Sequence, residues 1–324
     1  MRTVKAIAAA LLLALVTPAN ALAQGTGKVV LGWAANLQTA PIVVAVEKGF
    51  FKEAGLDVRS VRFITGREAL EALLGGQLDL GFMAELPPTI GALRNQEFRV
   101  VATLSSYSGN RIISTASAGF NSVKDLEGKK IGTTLGSNNA YFTELVLKKY
   151  GVKATVVNVA PADIVPALVR GDIDAGVPFP DFYQKARAAL GDKYRDEVSK
   201  DYIAWFVLAT SMDLLNKRPD DLKKFLSALI RADEFIKSNP AEAQELLARE
   251  MSGLADLAQI RTMWPEAGYT VGLNQSLLDL MADEGKWISD RGLIKDVHAD
   301  AAEFRRYLAD GPLKALDATR VNLP

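Results

Sequence analysis

The period of apolar positions switches repeatedly along the chain, and each switch marks an element. KVVLGW (28–33) is a short β-rich run. NLQTAPIVVAVEKGFFKEAG reads as loop plus helix, with Thr39 able to cap and Pro41 in a first turn, where its missing N–H costs nothing. DVRSVRF (57–63) alternates and predicts a strand. Thr65 and Glu68 form a capping-box pattern that opens a helix through Leu74, and Gly75 and Gly76 stop it. LDLGFM (78–83) is the next strand, AELPP a loop, 88–95 a helix, and FRVVATLSSY a strand. Such alternation predicts a parallel-rich sheet covered by helices.

A second round follows a bridging stretch, RIISTASAG. SVKDLEGKK is a short helix and turn, KIGTTL (130–135) a strand, and GSNNAYFTELVLKKYG a helix capped by Ser137 or a neighbouring Asn and ended by Gly151. ATVVNV, PADIVPALVRG and DIDAGVP continue as strand, helix and strand. IAWFVLAT (203–210) is apolar enough to cross back between two bodies. From 219 onward the pattern is helical, and Leu222, Phe225, Leu226 and Leu229 fall at core spacing.

The two rounds share a phrase. ALLGGQLDLGF (72–82) and ALVRGDIDAGV (167–177) each spell a helix, a glycine stop, and a strand carrying Asp then Gly. An ordinary αβ unit would supply part of this match. The flanking elements also line up, which points to a duplicated architecture whose Asp and Gly are structural.

Composition narrows the function. Nearly half of the 324 residues are apolar, enough for a large core, and the length suggests two domains at roughly 150 residues each. The 38 basic and 38 acidic residues balance, with no basic stripe for nucleic acid. The absence of cysteine removes disulfides, thiolate metal sites and cysteine nucleophiles. MRTVK, the short apolar run AIAAALLLALV and the small-residue site Ala21-Leu22-Ala23 read as a secretory signal peptide over 1–23, with an uncleaved anchor as the alternative. The mature chain would begin near Gln24 or Gly25, in the periplasm, and no later segment is apolar enough to span a bilayer. There is no P-loop, nucleotide-binding glycine fingerprint or HExxH pair, and His298, the single histidine, falls in a polar stretch. No cofactor or metal is expected.

EKGFFKEAGLDV, the two echoing phrases, SVKDLEGKKIGTTLGSNNAYF and PADIVPALVRGDIDAGVPFP, in that order, resemble the sulfonate/nitrate/taurine family of periplasmic substrate-binding proteins of ABC importers. The similarity covers roughly 28–210. It implies an α/β, two-lobed type II periplasmic binding protein fold with a hinge and a helical C-terminal region. Lobe 1 would comprise 28–108 plus 211–324, and lobe 2 would comprise 109–210. It also implies a monomer that delivers its solute to an inner-membrane permease.

Open sheets bind ligands beyond the carboxyl ends of their strands, and helix N-termini there attract anions. Four loops are therefore candidates. The first offers Trp33, Asn36 and Thr39. The second offers Glu85, which, if it faced the cleft, would favour a ligand with an amino group. Ser137, Asn138 and Asn139 match the family motif in the third, and the fourth carries Phe179 and Asp181 where many members have a Trp-rich phrase. Ser106 and Tyr107 lie near the first expected crossing. The ligand would be sulfonate-, taurine- or nitrate-like. The alternatives are an aromatic or heterocyclic compound such as a vitamin precursor, or, in another class, a two-lobed enzyme acting on a small organic acid. A sensor domain using the same binding event is also open.

Overall fold

A computed structural model describes residues 27–295 and 297–324. The expected signal peptide and its cleavage site lie outside the described residues.

The chain first lays down β1 (Gly27–Trp33), β2 (Leu56–Arg62), β3 (Leu80–Ala84) and β4 (Arg99–Tyr107). It then builds β5 (Arg111–Thr115), β6 (Lys130–Thr133), β7 (Thr155–Asn158), β8 (Ala175–Val177) and β9 (Tyr194–Val198). It finishes with β10 (Ala204–Thr210), β11 (Ala267–Asn274) and β12 (Val321–Asn322). These make two sheets, β12-β11-β4-β10-β3-β1-β2 and β7-β6-β8-β5-β9. β1, β2 and β3 are parallel, as are β6, β7 and β8. β10 runs antiparallel between β3 and β4, and β5 antiparallel between β8 and β9. The chain passes between sheets twice, through 108–110 and 199–203.

IAWFVLAT, expected as a return crossing, supplies β10, a central strand of the larger sheet that is buried from Phe206 to Thr210. The apolar run is explained by that position, covered on both faces. RIIST, expected as a bridge, is β5, and AGYTVGLN in the tail is β11. The helix expected at 88–95 begins two residues earlier, Leu86–Leu93, because Pro87 and Pro88 fit a first turn. The tail helix Pro219–Ser238 buries Leu222, Phe225, Leu226 and Leu229 completely, with Phe225 stacked on Phe51 at 4.5 Å between ring centroids.

The echo has one structural meaning in both sheets. Asp79 Oδ2 accepts from Val30 N–H at 2.8 Å while Asp79 N–H donates to Val30 O at 2.9 Å. Asp174 makes the same pair with Lys130, at 2.8 Å in each direction. Each Asp thus clamps the start of its strand to the neighbouring parallel strand. The glycines match as well. Gly32 is registered against Gly81, and Gly132 against Gly176. A Cβ on Gly32 would come within 2.3 Å of Leu78 Cδ1, and one on Gly132 within 2.6 Å of Ile173 Cδ1. Leu78 and Ile173 occupy equivalent places in the two phrases, so helix and sheet close-pack in the same way twice.

Candidate functional site

A crevice of about 760 Å³ lies between the sheets. The larger sheet contributes Asn36 and Gln38 after β1, Phe63 after β2, Met83 and Ala84 at the end of β3, and Phe206. The smaller sheet contributes Thr134 to Asn139 after β6, Asn158 at the end of β7, and Phe179 to Phe182 after β8. Tyr107 and Asn110 reach it from the first crossing. Apart from Phe206, these come from the carboxyl ends of the parallel strands, where open sheets hold ligands, and from the crossing.

Seven of the eleven residues singled out from the sequence meet here: Asn36, Tyr107, Ser137, Asn138, Asn139, Phe179 and Asp181. Asn36 caps its own turn by accepting from Gln38 N–H at 3.1 Å. Tyr107 donates its hydroxyl to Glu266 Oε2 at 2.7 Å, and Glu266 Oε1 accepts from Arg111 Nη2 at 2.6 Å, tying the two sheets at the crossing. Ser137 begins the helix Asn138–Tyr150 but turns its hydroxyl back to Thr134 O at 2.7 Å, so no side chain caps the first-turn N–H groups. Asn138 is buried near the Tyr202 hydroxyl. Asn139 donates from Nδ2 to Val177 O at 3.1 Å, linking that helix to β8.

The other four are not on the crevice wall. Trp33 is buried beneath the Arg62 guanidinium, which lies 3.3 Å from its ring centroid and pairs with Glu250. Thr39 is buried and donates to Asn36 O at 2.6 Å. Ser106 is registered on β4 against Trp205 and Gly268. Glu85 is sealed inside the protein: its carboxylate accepts from the Tyr202 hydroxyl and from Trp205 N–H at 2.9 Å, both on or beside the second crossing. Its carboxyl neighbours that of Glu284, whose Oε2 accepts from Thr89 Oγ1 at 2.8 Å while its Oε1 has no partner. Burial pushes Glu85 up to about 7 and Glu284 well above its ordinary range, the latter also through the charge of Glu85. The pair braces the crossing and does not line the crevice.

Sequence reasoning missed Gln38, Asn110, Phe63, Phe82 and Phe206. Gln38 and Asn110 sat inside loops already marked as candidates. The phenylalanines gave no signal, since an apolar run looks the same whether a ring packs inward or lines a crevice.

Several buried polar atoms in the crevice wall have no hydrogen-bond partner: Gln38 Nε2, Asn110 Nδ2, Asn139 Oδ1 and Asp181 Oδ1. Buried polar groups are nearly always paired, so four in one crevice is unusual. Burial raises Asp181 to about 7. Among the described residues no group of three His, Asp or Glu side chains is arranged to hold a metal, and no helix is long and apolar enough to cross a membrane. His298 is exposed in the segment before the helix Ala301–Arg305, away from the crevice.

Residues 36–243 match the family model described as NMT1/THI5 like. A putative binding protein of Brucella abortus is 28% identical over 267 residues, covering 79% of this chain and 75% of its own length. A 4-amino-5-hydroxymethyl-2-methylpyrimidine phosphate synthase of Aspergillus parasiticus is 28% identical over 231 residues, 66% of this chain and 67% of that one. The taurine-binding periplasmic protein of Escherichia coli is 25% identical over 283 residues, 81% and 86% of the two chains. Among solved structures, the alkanesulfonate-binding protein of Xanthomonas axonopodis pv. citri superposes with a TM-score of 0.74 at 19% identity, covering 86% of this chain and 97% of that one. The fold is that of periplasmic binding proteins, as the ordered phrases implied.

Proposed function

Because the chain belongs to the NMT1/THI5-like family, we propose that it is an exported solute-binding protein that closes its two lobes on a small organic molecule and hands it to an inner-membrane ABC importer. The lobes would divide at the crossings, with β10 and the tail joining the first. The observation that carries this reading is the crevice itself, walled by both sheets and holding unpaired buried polar atoms contributed from both sides and from the crossing. Those atoms are costly in an isolated protein and are satisfied when a solute enters. Closure around the solute would be a hinge motion through 108–110 and 199–203. The likeness to taurine- and alkanesulfonate-binding proteins favours a sulfonate-like solute; the ring-lined wall favours an aromatic or heterocyclic one.

A second reading is an enzyme, favoured by the relatives named as pyrimidine phosphate synthases. Among the described residues the crevice wall carries no histidine, lysine or cysteine; its candidate groups for chemistry are Asp181, the exposed carboxylates, the two arginines and hydroxyls such as those of Tyr107 and Ser137. Native mass spectrometry of the purified protein would identify a co-purified solute, and small-angle scattering would compare the emptied and reloaded protein. The expected result is a smaller radius of gyration with solute bound and no conversion of the solute. An unchanged scattering profile at saturation would refute the hinge reading, and turnover would establish the enzyme.

A further inference from the structure

The crevice wall has two cationic side chains among the described residues, and both are already committed. Arg62 pairs with Glu250 and lies over Trp33, and Arg67 pairs with Glu71 at 2.9 Å. Glu68 is also occupied, accepting from Ile64 N–H at 3.0 Å and Thr65 N–H at 3.2 Å. Asp181 differs from all of these. It pairs with no cation, and its Oδ1 is sealed from solvent without a donor. Asn139, 2% exposed, presents a second acceptor whose identity is fixed: its Nδ2 is held by Val177 O, so Oδ1 is the atom left over, and a flipped amide would set oxygen against oxygen. These two acceptors sit on the loops after the adjacent strands β6 and β8. Across from them the larger sheet offers Phe63, Phe82, Phe206 and Met83, beside Gln38, whose buried Nε2 lacks an acceptor.

Resting on the reading of this crevice as a solute site, we propose that the solute presents an N–H donor (an amine, an amidine or a ring N–H) to Asp181 and lays an apolar or aromatic body on the phenylalanines. An N–H supplies the partner that Asp181 Oδ1 and Asn139 Oδ1 lack. A sulfonate or nitrate alone supplies only acceptors, which suit Gln38 Nε2 and Asn110 Nδ2 but leave both of these oxygens unmet.

The test is calorimetry of the wild type and Asp181→Asn with benzamidine and 4-aminopyrimidine as N–H probes, and ethanesulfonate and nitrate as anions. The expected result is binding of at least one N–H probe, weakened at least tenfold by D181N, with any anion binding not weakened by D181N. The unliganded thermal midpoint of D181N should equal or exceed that of the wild type, which separates lost recognition from lost folding. Tighter binding of either anion than of both N–H probes, or an N–H affinity untouched by D181N, overturns the inference while leaving the solute-binding reading intact. If no probe binds, the co-purified solute decides: one without an N–H overturns the inference, and one with an N–H whose affinity falls tenfold in D181N supports it. A protein that binds none of the probes and carries no solute would bring down both readings together.

Discussion

Replacing Glu284 by glutamine tests whether two carboxyls share a proton beside the hinge. Both Glu284 and Glu85 are fully buried, and the groups around them are Tyr202, Tyr141, Thr89 and Asp283. Burial and the neighbouring Glu85 raise Glu284 above its ordinary 4.5, so the folded protein keeps a proton that the unfolded chain releases. The pair's contribution to stability is therefore complete below about 4.5 and is lost as pH rises, at about 1.4 kcal/mol per pH unit for each retained proton. Glutamine at 284 cannot ionise. Its carbonyl can still accept from Thr89, and its amide N–H can still face Glu85. At pH 4 to 5 the variant should be about as stable as the wild type. From pH 5 upward it should gain on the wild type, by up to about 1.4 kcal/mol per pH unit while the folded wild type keeps the Glu284 proton, and titration at distant sites such as Asp181 cancels in the difference. Urea denaturation followed by tryptophan fluorescence at pH 5, 6, 7 and 8 measures this directly. A stability difference that stays constant across that range would refute the shared proton.

The two copies of the Asp clamp should not be equal. Asp79 is more enclosed than Asp174, with its side chain 18% against 40% exposed, and Asp79 also holds Arg218, whereas Lys129 lies 4.0 Å from Asp174. Asp79→Ala should cost about 1–3 kcal/mol in urea denaturation and Asp174→Ala about 1 kcal/mol or less. Gly32→Ala and Gly132→Ala should each cost about 1–3 kcal/mol, because the new methyl must displace Leu78 or Ile173 from a close-packed helix–sheet seam; a neutral result at either position, measured the same way, would show that the seam can give.

How much of this was legible depended on whether a residue's environment is local. The capping box at Thr65 and Glu68 forms as the pattern dictates, with Glu68 Oε2 reaching back to Thr65 N–H at 3.2 Å, because every partner lies within one turn. Gly151 and Gly171 end their helices in left-handed geometry for the same reason. The echo was readable as a repeat, but its function as a clamp was not, since Val30 lies 49 residues from Asp79 and Lys130 lies 44 from Asp174. β10 reads as a crossing in sequence because its burial comes from strands on both sides that are distant in the chain.

Glu85 and Asp181 mark the limit most clearly. Each follows a strand carrying the same phrase, so the sequence offers both as acids at the mouth of a crevice. The sheets then treat them oppositely. Tyr202 and Trp205, arriving by the second crossing, cover Glu85, and Glu284 from the tail completes its enclosure. Nothing arrives for Asp181 Oδ1. One acid is consumed in bracing the second crossing and the other is left with an unpaired oxygen in the crevice wall. That asymmetry is set by the tail and the crossing, the parts of the chain that have no counterpart in the repeat. A repeated scaffold thus presents two equivalent loops, and the unrepeated segments leave only the second with an unpaired carboxylate oxygen.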